Sequence, residues 1–230
     1  VKMLMDQYKL REHYLMLEKE RSGAELQYLK AQLNPHFLFN TLNNIYSLSI
    51  SGSPATSTSI ARMAGILDHI LYGSQASEVP LSEEIKVLDN YIELERLRYD
   101  DRLHIRFDVD IMEDVRIAPL MLLTLVENAF KHGTSGTIGD LTIEIDIKAR
   151  PDFFMIRVKN PRCDPSDNEQ KASPGIGLQN LRKQLELIYP DRHNIDIRPS
   201  VLAFTAELTI HLGNPGKKIS YESEMSTGRR

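Results

Sequence analysis

The chain has 230 residues, 41% of them hydrophobic and 26% charged, which is the balance of a folded globular protein of one large or two small domains rather than of a disordered one. Lysine and arginine number 28 against 32 aspartates and glutamates, a formal net charge of −4, so no general basic field points to nucleic acid. The single cysteine, Cys163, excludes an intramolecular disulfide and a cysteine-rich metal site and fits a reducing compartment. No apolar run reaches the ~18–20 residues needed to span a bilayer, and no signal peptide is visible.

In chain order, residues 1 to about 50 are rich in Leu, Met, Glu, Lys and Gln and read as one long helix. Met3, Leu10, Leu17, Ala24 and Ala31 recur every seven residues, and Pro35 is expected to bend the helix by removing a backbone donor. Ser51-Gly52-Ser53-Pro54 is a turn, after which Ile60, Met63, Ala64, Leu67 and Leu71 mark one face of a second helix. A two-helix hairpin is too thin to bury its apolar stripe alone, so a second copy is expected to complete a four-helix bundle, making a homodimer.

Val79-Pro80 marks a boundary. Ser82 is expected to cap a new helix, with Glu83 and Glu84 favourable in its first turn. Four segments then alternate with period two: Leu103 to Val109, Leu141 to Ile147, Phe154 to Val158 and Phe204 to Ile210. Helices are predicted near 119–132 and 177–189. One-sided alternation implies a sheet covered on one face, so 79–212 is predicted to be a two-layer α/β sandwich and 1–78 the helical hairpin, with 213–230 a disordered tail.

Three strings carry chemistry. Gln32, His36 and Asn40 are four apart and share a helix face. A neutral imidazole nitrogen on a polar stripe can accept a phosphoryl group, although a single histidine there is more often an ordinary surface residue. Asn128, Lys131 and His132 stand at i, i+3 and i+4 on a helix. An amide oxygen can ligate Mg²⁺ and a lysine can meet phosphate charge, while Leu122, Leu125, Val126 and Ala129 can face the sheet. The plain alternative is an amphipathic helix capped by Gly133. Gly175-Ile176-Gly177 opens a helix, where glycine permits close backbone approach and free N–H groups favour an anion. The polar stretch from Pro161 to Pro174 before it reads as a lid or as a plain surface loop. A Walker-type phosphate loop is absent from the sequence.

Together, NPHFLFNTLN (34–43), YIELERLRYDDRL (91–103), VENAFKHG (126–133) and GIGLQNLRKQLELIYP (175–190) resemble the LytS/YehU-type sensor histidine kinases, whose ATPase half is of the GHKL (Bergerat) type. The resemblance covers about residues 24–212. It implies ATP-dependent phosphorylation of His36, followed by transfer to an aspartate in the receiver domain of a response regulator. It implies an ATP site with Asn128 holding Mg²⁺ and Lys131 and His132 near the phosphates. Gly175 and Gly177 would form the lid base, with Leu178 and Asn180 beside the nucleotide. Members of this family commonly carry an N-terminal membrane sensor, which would make this chain the cytoplasmic portion of a bacterial inner-membrane protein. Three departures stand out. Where many relatives have Asp-x-Gly-x-Gly, this sequence has Val158-Lys159-Asn160-Pro161, so Asn160 would read adenine as a neutral acceptor. Thr124 stands where many have a carboxylate or amide four residues before Asn128, with Glu127 the nearby substitute. Phe37 follows His36 where other kinases place an acid, which leaves the proton acceptor unassigned. Two rivals remain: a degenerate, non-catalytic dimeric module of the same fold, favoured by the missing adenine-box glycines, and another GHKL ATPase, opposed by the histidine box.

Overall fold

The computed structural model describes residues 11, 35–73, 76–99, 102–133, 141–161, 176–200 and 203–213. The heptad of 1–34, the bend ahead of Pro35, the 162–174 stretch, Gly175 and the tail beyond Gly213 lie outside the described residues. So do the side chains of His36 and His132.

Helix α1 (Pro35–Ile50) and helix α2 (Ala55–Leu71) form the expected hairpin. The turn between them works because Gly52 adopts φ +65°, which glycine reaches without a Cβ penalty. Gly52 N–H then donates to Ser49 O at 3.1 Å and Ser53 N–H to Leu48 O at 2.9 Å, pairing the last carbonyls of α1. After the short β1 (Val79–Pro80) comes helix α3 (Leu81–Tyr99). Two compact units divide the described chain: 35–79 with 85–99, and 80–84 with 102–213. Helix α3 is therefore shared, with its first turn in the second unit and the rest in the first.

Within the first unit the Phe37 ring packs on Tyr91, centroids 4.7 Å apart. Phe37, Thr41 and Ile45 of α1 are buried, as are Met63, Ile66 and Ile70 of α2. Arg62 ties α2 to α3, with Nη1 3.3 Å from Asp89 and 3.4 Å from Asn90 Oδ1, and Nη2 3.8 Å from Glu93.

The second unit holds a five-stranded sheet in the order β2-β4-β5-β7-β6. Strand β2 (Leu103–Ile111) runs parallel to β4 (Leu141–Arg150), with Leu103 opposite Leu141. A parallel pair needs a crossover; here it carries β3 (Arg116–Ile117) and helix α4 (Met121–Gly133). Strands β5 (Phe153–Pro161), β7 (Ala203–His211) and β6 (His193–Pro199) complete the sheet by antiparallel pairing. Helix α5 (Ile176–Ile188) precedes β6. The period-two alternation puts Ile143, Ile145 and Ile147, Phe154, Ile156 and Val158, and Ala206, Leu208 and Ile210 on the buried face. Leu122, Leu125, Val126 and Ala129 of α4 are buried, as are Leu178, Leu181 and Leu185 of α5. Each large aliphatic side chain among them contributes roughly 1.5–3 kcal/mol by leaving water. The other sheet face is charged, with Lys159 2.6 Å from Glu144, Arg157 2.7 Å from Glu207 and Arg150 2.6 Å from Asp110. A two-layer α/β sandwich is the result, as expected.

Two details differ from expectation. Ser82 lies inside the first turn of α3 rather than capping it: its hydroxyl donates to Asp114 Oδ2 at 2.7 Å and its N–H to Oδ1 at 2.9 Å. Strand β6 is not among the strands expected from the sequence. Only Ile195 and Ile197 alternate between Asn194, Asp196 and Arg198, because an edge strand that is half-exposed needs little apolar pattern.

Candidate functional site

Helix α4 is the spine of the site. Its apolar side faces the sheet, and it also contacts α5. That leaves Thr124, Glu127 and Asn128 half-buried and Lys131 exposed on its other sides.

Its start is unusual. Leu120, just before the helix, has φ +65°, a left-handed conformation that costs a leucine roughly 1–3 kcal/mol. Leu120 N–H donates to the buried carboxylate of Glu84 at 2.8 Å. Its carbonyl accepts from Thr124 N–H at 3.1 Å and from the Thr124 hydroxyl at 2.8 Å. The Thr124 hydroxyl proton is thus engaged by the backbone. Its methyl instead faces α5: a Cβ built on Gly177 would lie 3.8 Å from Thr124 Cγ2. The first turn of the glycine-opened helix therefore sits beside α4, one turn before Asn128.

At the far end, Gly133 is needed for a different reason from the expected cap. It lacks the left-handed φ that a C-terminal glycine cap uses. A Cβ there would stand 2.9 Å from both Cβ and Nδ2 of Asn160, so only glycine lets the helix end approach β5 this closely. Asn160 itself is 2% exposed. Its Nδ2 donates to Pro161 O at 2.9 Å, and its Oδ1 is buried without a hydrogen-bond partner. An unpaired buried acceptor costs about 1–3 kcal/mol, so a donor from a ligand would be stabilising there. The adenine amino group is such a donor, and the residues present fit it.

The sequence-predicted residues thus separate. Asn128, Asn160 and Gly177 are brought around α4, with Glu127 and Lys131 on the same helix. Leu178 is buried among core positions, while Gly177 and Asn180 are exposed. His36 lies in α1, in the other unit. Asn40 and Asn43, which come after it at +4 and +7, are half-buried and exposed. Among the described residues no cluster of three His, Cys, Asp or Glu side chains would hold a metal, so a cation at Asn128 would need oxygens from a bound phosphate. Two groups escaped motif reading: Glu84, a buried acid, and Arg182 on α5, whose Nε is buried without a hydrogen-bond partner. Only their burial marks them, and burial is not legible in a polar residue's identity.

Sequence comparison with known proteins points the same way. Residues 24–103 match the family model described as histidine kinase. The chain is 30% identical over 181 residues to the sensor protein LytS of Streptococcus agalactiae serotype V, covering 74% of this chain and 31% of that protein. It is also 30% identical over 181 residues to the sensor histidine kinase YpdA of Escherichia coli K12, covering 75% of this chain and 32% of that one. The catalytic domain of histidine kinase ThkA, a solved structure, aligns with 58% of this chain and 94% of its own at 18% identity, with a TM-score of 0.43. The expected kinship with LytS-type sensor histidine kinases holds. The chain spans about a third of the length of the curated relatives it matches.

Proposed function

We propose that this chain is the kinase region of a two-component sensor: it binds ATP in the α/β unit and phosphorylates its own His36. The phosphoryl group then passes to an aspartate on a response-regulator receiver domain. The observation that carries the reading is that one chain joins a histidine-kinase segment containing His36 to an α/β layer whose Asn160 oxygen is buried and unpartnered.

In this reading Asn160 Oδ1 accepts from the adenine amino group. Asn128 offers its amide oxygen to Mg²⁺, whose charge offsets that of the phosphates. Lys131, with Glu127 on the same helix, lines the phosphate side, a role that the resemblance extends to His132. Gly177 lets the α5 backbone approach, and the resemblance gives Gly175 the same role. A neutral His36 nitrogen forms the new N–P bond as the bond from the γ-phosphorus to the bridging oxygen breaks. ADP leaves with that oxygen, and the proton of the attacked imidazole is released to solvent or base. Catalysis is mostly positioning and charge neutralisation.

The exposed stripe of Phe39, Leu42, Tyr46 and Ile50 on α1 supports a homodimer through 1–78, with 79–212 as the ATP-binding part. No helix among the described residues is long and apolar enough to cross a membrane; in this reading the chain is the cytoplasmic portion of a bacterial inner-membrane protein. Incubation with γ-labelled ATP and Mg²⁺ tests the activity. Acid-labile label on the unaltered chain, absent from His36→Gln, is expected. A chain that binds no nucleotide and takes no label is the degenerate module instead.

A further inference from the structure

We infer that Glu84 is a positioning residue for the nucleotide site: its buried carboxylate holds the start of α4, and through it the placement of Asn128 and of the Thr124 face against Gly177. The inference rests on the proposed ATP site in this unit.

A leucine such as Leu120 does not adopt a left-handed backbone unless its surroundings enforce it. Two things do so here. The side chain is buried, and the N–H is held by Glu84 Oε1 at 2.8 Å. Leucine has no side-chain oxygen with which to cap a helix, and α4 has no acidic residue in its first turn. Glu84 therefore supplies, from another helix, both the acceptor and the negative charge that the N-terminus of α4 favours. A glutamate that is 2% exposed is an expensive group to bury, and so its placement is specific.

The capped end of α4 leads directly into the site. Leu120 O is the acceptor for both Thr124 N–H and its hydroxyl. Thr124 Cγ2 is the atom nearest a Cβ built on Gly177. Asn128 lies on the next turn. Freeing Leu120 lets the first turn of α4 relax, and Thr124 and Asn128 move with it; misplacement by about 1 Å is enough to lose most of a well-oriented interaction. Glu84 is itself fixed by the docking of its turn: Leu81 N–H donates to Val115 O at 2.8 Å and Ser82 pairs with Asp114. Glu84 Oε1 is engaged by the Leu120 amide, so the role inferred for Glu84 is positioning.

Three variants test this role. Glu84→Gln keeps an oxygen at the same reach. Glu84→Asp keeps the charge but is one methylene short of the Leu120 N–H. Glu84→Ala removes both. ATP affinity is measured by calorimetric titration with Mg²⁺, well below each variant's melting temperature, so that only folded protein is compared. Hydrogen exchange at the Leu120 amide is measured in parallel. The dissociation constant should rise about tenfold in Ala, several-fold in Asp and no more than about twofold in Gln, a ranking set by the hydrogen bond rather than by charge. Leu120 exchange should accelerate in the same order. If Ala does not fold, the contrast between Asp and Gln decides the matter. Lower melting temperatures with an unchanged dissociation constant in all folded variants would make Glu84 merely structural and overturn the inference, leaving the ATP site intact. Failure of the unaltered chain to bind ATP would remove the proposed function and this inference with it.

Discussion

The two units of this chain solve the burial problem differently. The α/β unit closes its own core: the inward residues of β4, β5 and β7 are covered by α4 and α5, and its outer sheet face is paired charge. The helical unit leaves Phe39 at 67%, Tyr46 at 66% and Ile50 at 71% exposure, in helical register on one side of α1. Such an apolar stripe is the kind of surface that a partner covers, whereas the inward sheet face of the α/β unit is covered by its own helices. The α/β unit is thus suited to hold a small ligand, and the helical unit to meet another protein.

The contrast between the units breaks most readily at the stripe. Tyr46→Glu should convert a dimer to monomer, because removing an aromatic anchor of roughly 1.5–3 kcal/mol also places a charge in the seam. Light scattering checks this; an unaltered chain that is already monomeric would show that the stripe has another use.

The next effect is smaller and confined to the other unit. Gly133→Ala sets a methyl 2.9 Å from Asn160 Cβ and Nδ2. Overpacking of this kind costs about 1–3 kcal/mol and displaces the buried oxygen, so ATP affinity should fall roughly tenfold with the oligomeric state unchanged. An ATP titration showing no change would separate Asn160 from the nucleotide.

Asn160→Asp sharpens the same point. A charged acceptor strengthens a hydrogen bond by roughly 1 kcal/mol over a neutral one, several-fold in affinity. Adenine offers an amino donor where guanine offers a carbonyl, so the ratio of ATP to GTP affinity should rise. An unaltered ratio would mean that Asn160 reads no base.

The mildest effect is on acid stability. The Lys159 ammonium, hydrogen-bonded to Glu144 and aided by its own charge and that of Arg106, holds the Glu144 carboxyl below the ordinary glutamate range against the opposing effect of burial. A lowered folded value contributes stability above the unfolded value, and that contribution is lost as pH falls through the folded one. Lys159→Ala should therefore cost the ~0.2–1 kcal/mol of an exposed pair at pH 7, lowering the melting temperature slightly, and the difference should vanish under strongly acid conditions. Thermal melts from neutral to strongly acid pH would show it; a gap that persists at the acid end points to packing instead.

Much of the fold is legible in the sequence where periodicity meets burial. Strands β4, β5 and β7 and helices α4 and α5 are readable because each buries one face against a neighbour and so repeats its apolar residues at the right period. The close approach of Gly133 to Asn160 is not legible. Glycine looks the same whether it caps a helix or makes room, and only tertiary packing chooses. Glu84 differs in kind from its sequence reading. It reads as a favourable first-turn acid of α3, yet its carboxylate serves the start of α4, 36 residues further along the chain. Strand β6 escapes notice because a half-exposed edge carries too little pattern to announce itself.

The central claim is that acceptor and nucleotide site belong to different units. ATP titration and γ-labelling of His36→Gln and Asn128→Ala, run side by side with Mg²⁺, test it most directly. His36→Gln should bind ATP as tightly as the unaltered chain and take no label, while Asn128→Ala should lose Mg²⁺-dependent binding and label together. Loss of ATP binding in His36→Gln, or normal labelling of Asn128→Ala, would contradict the division.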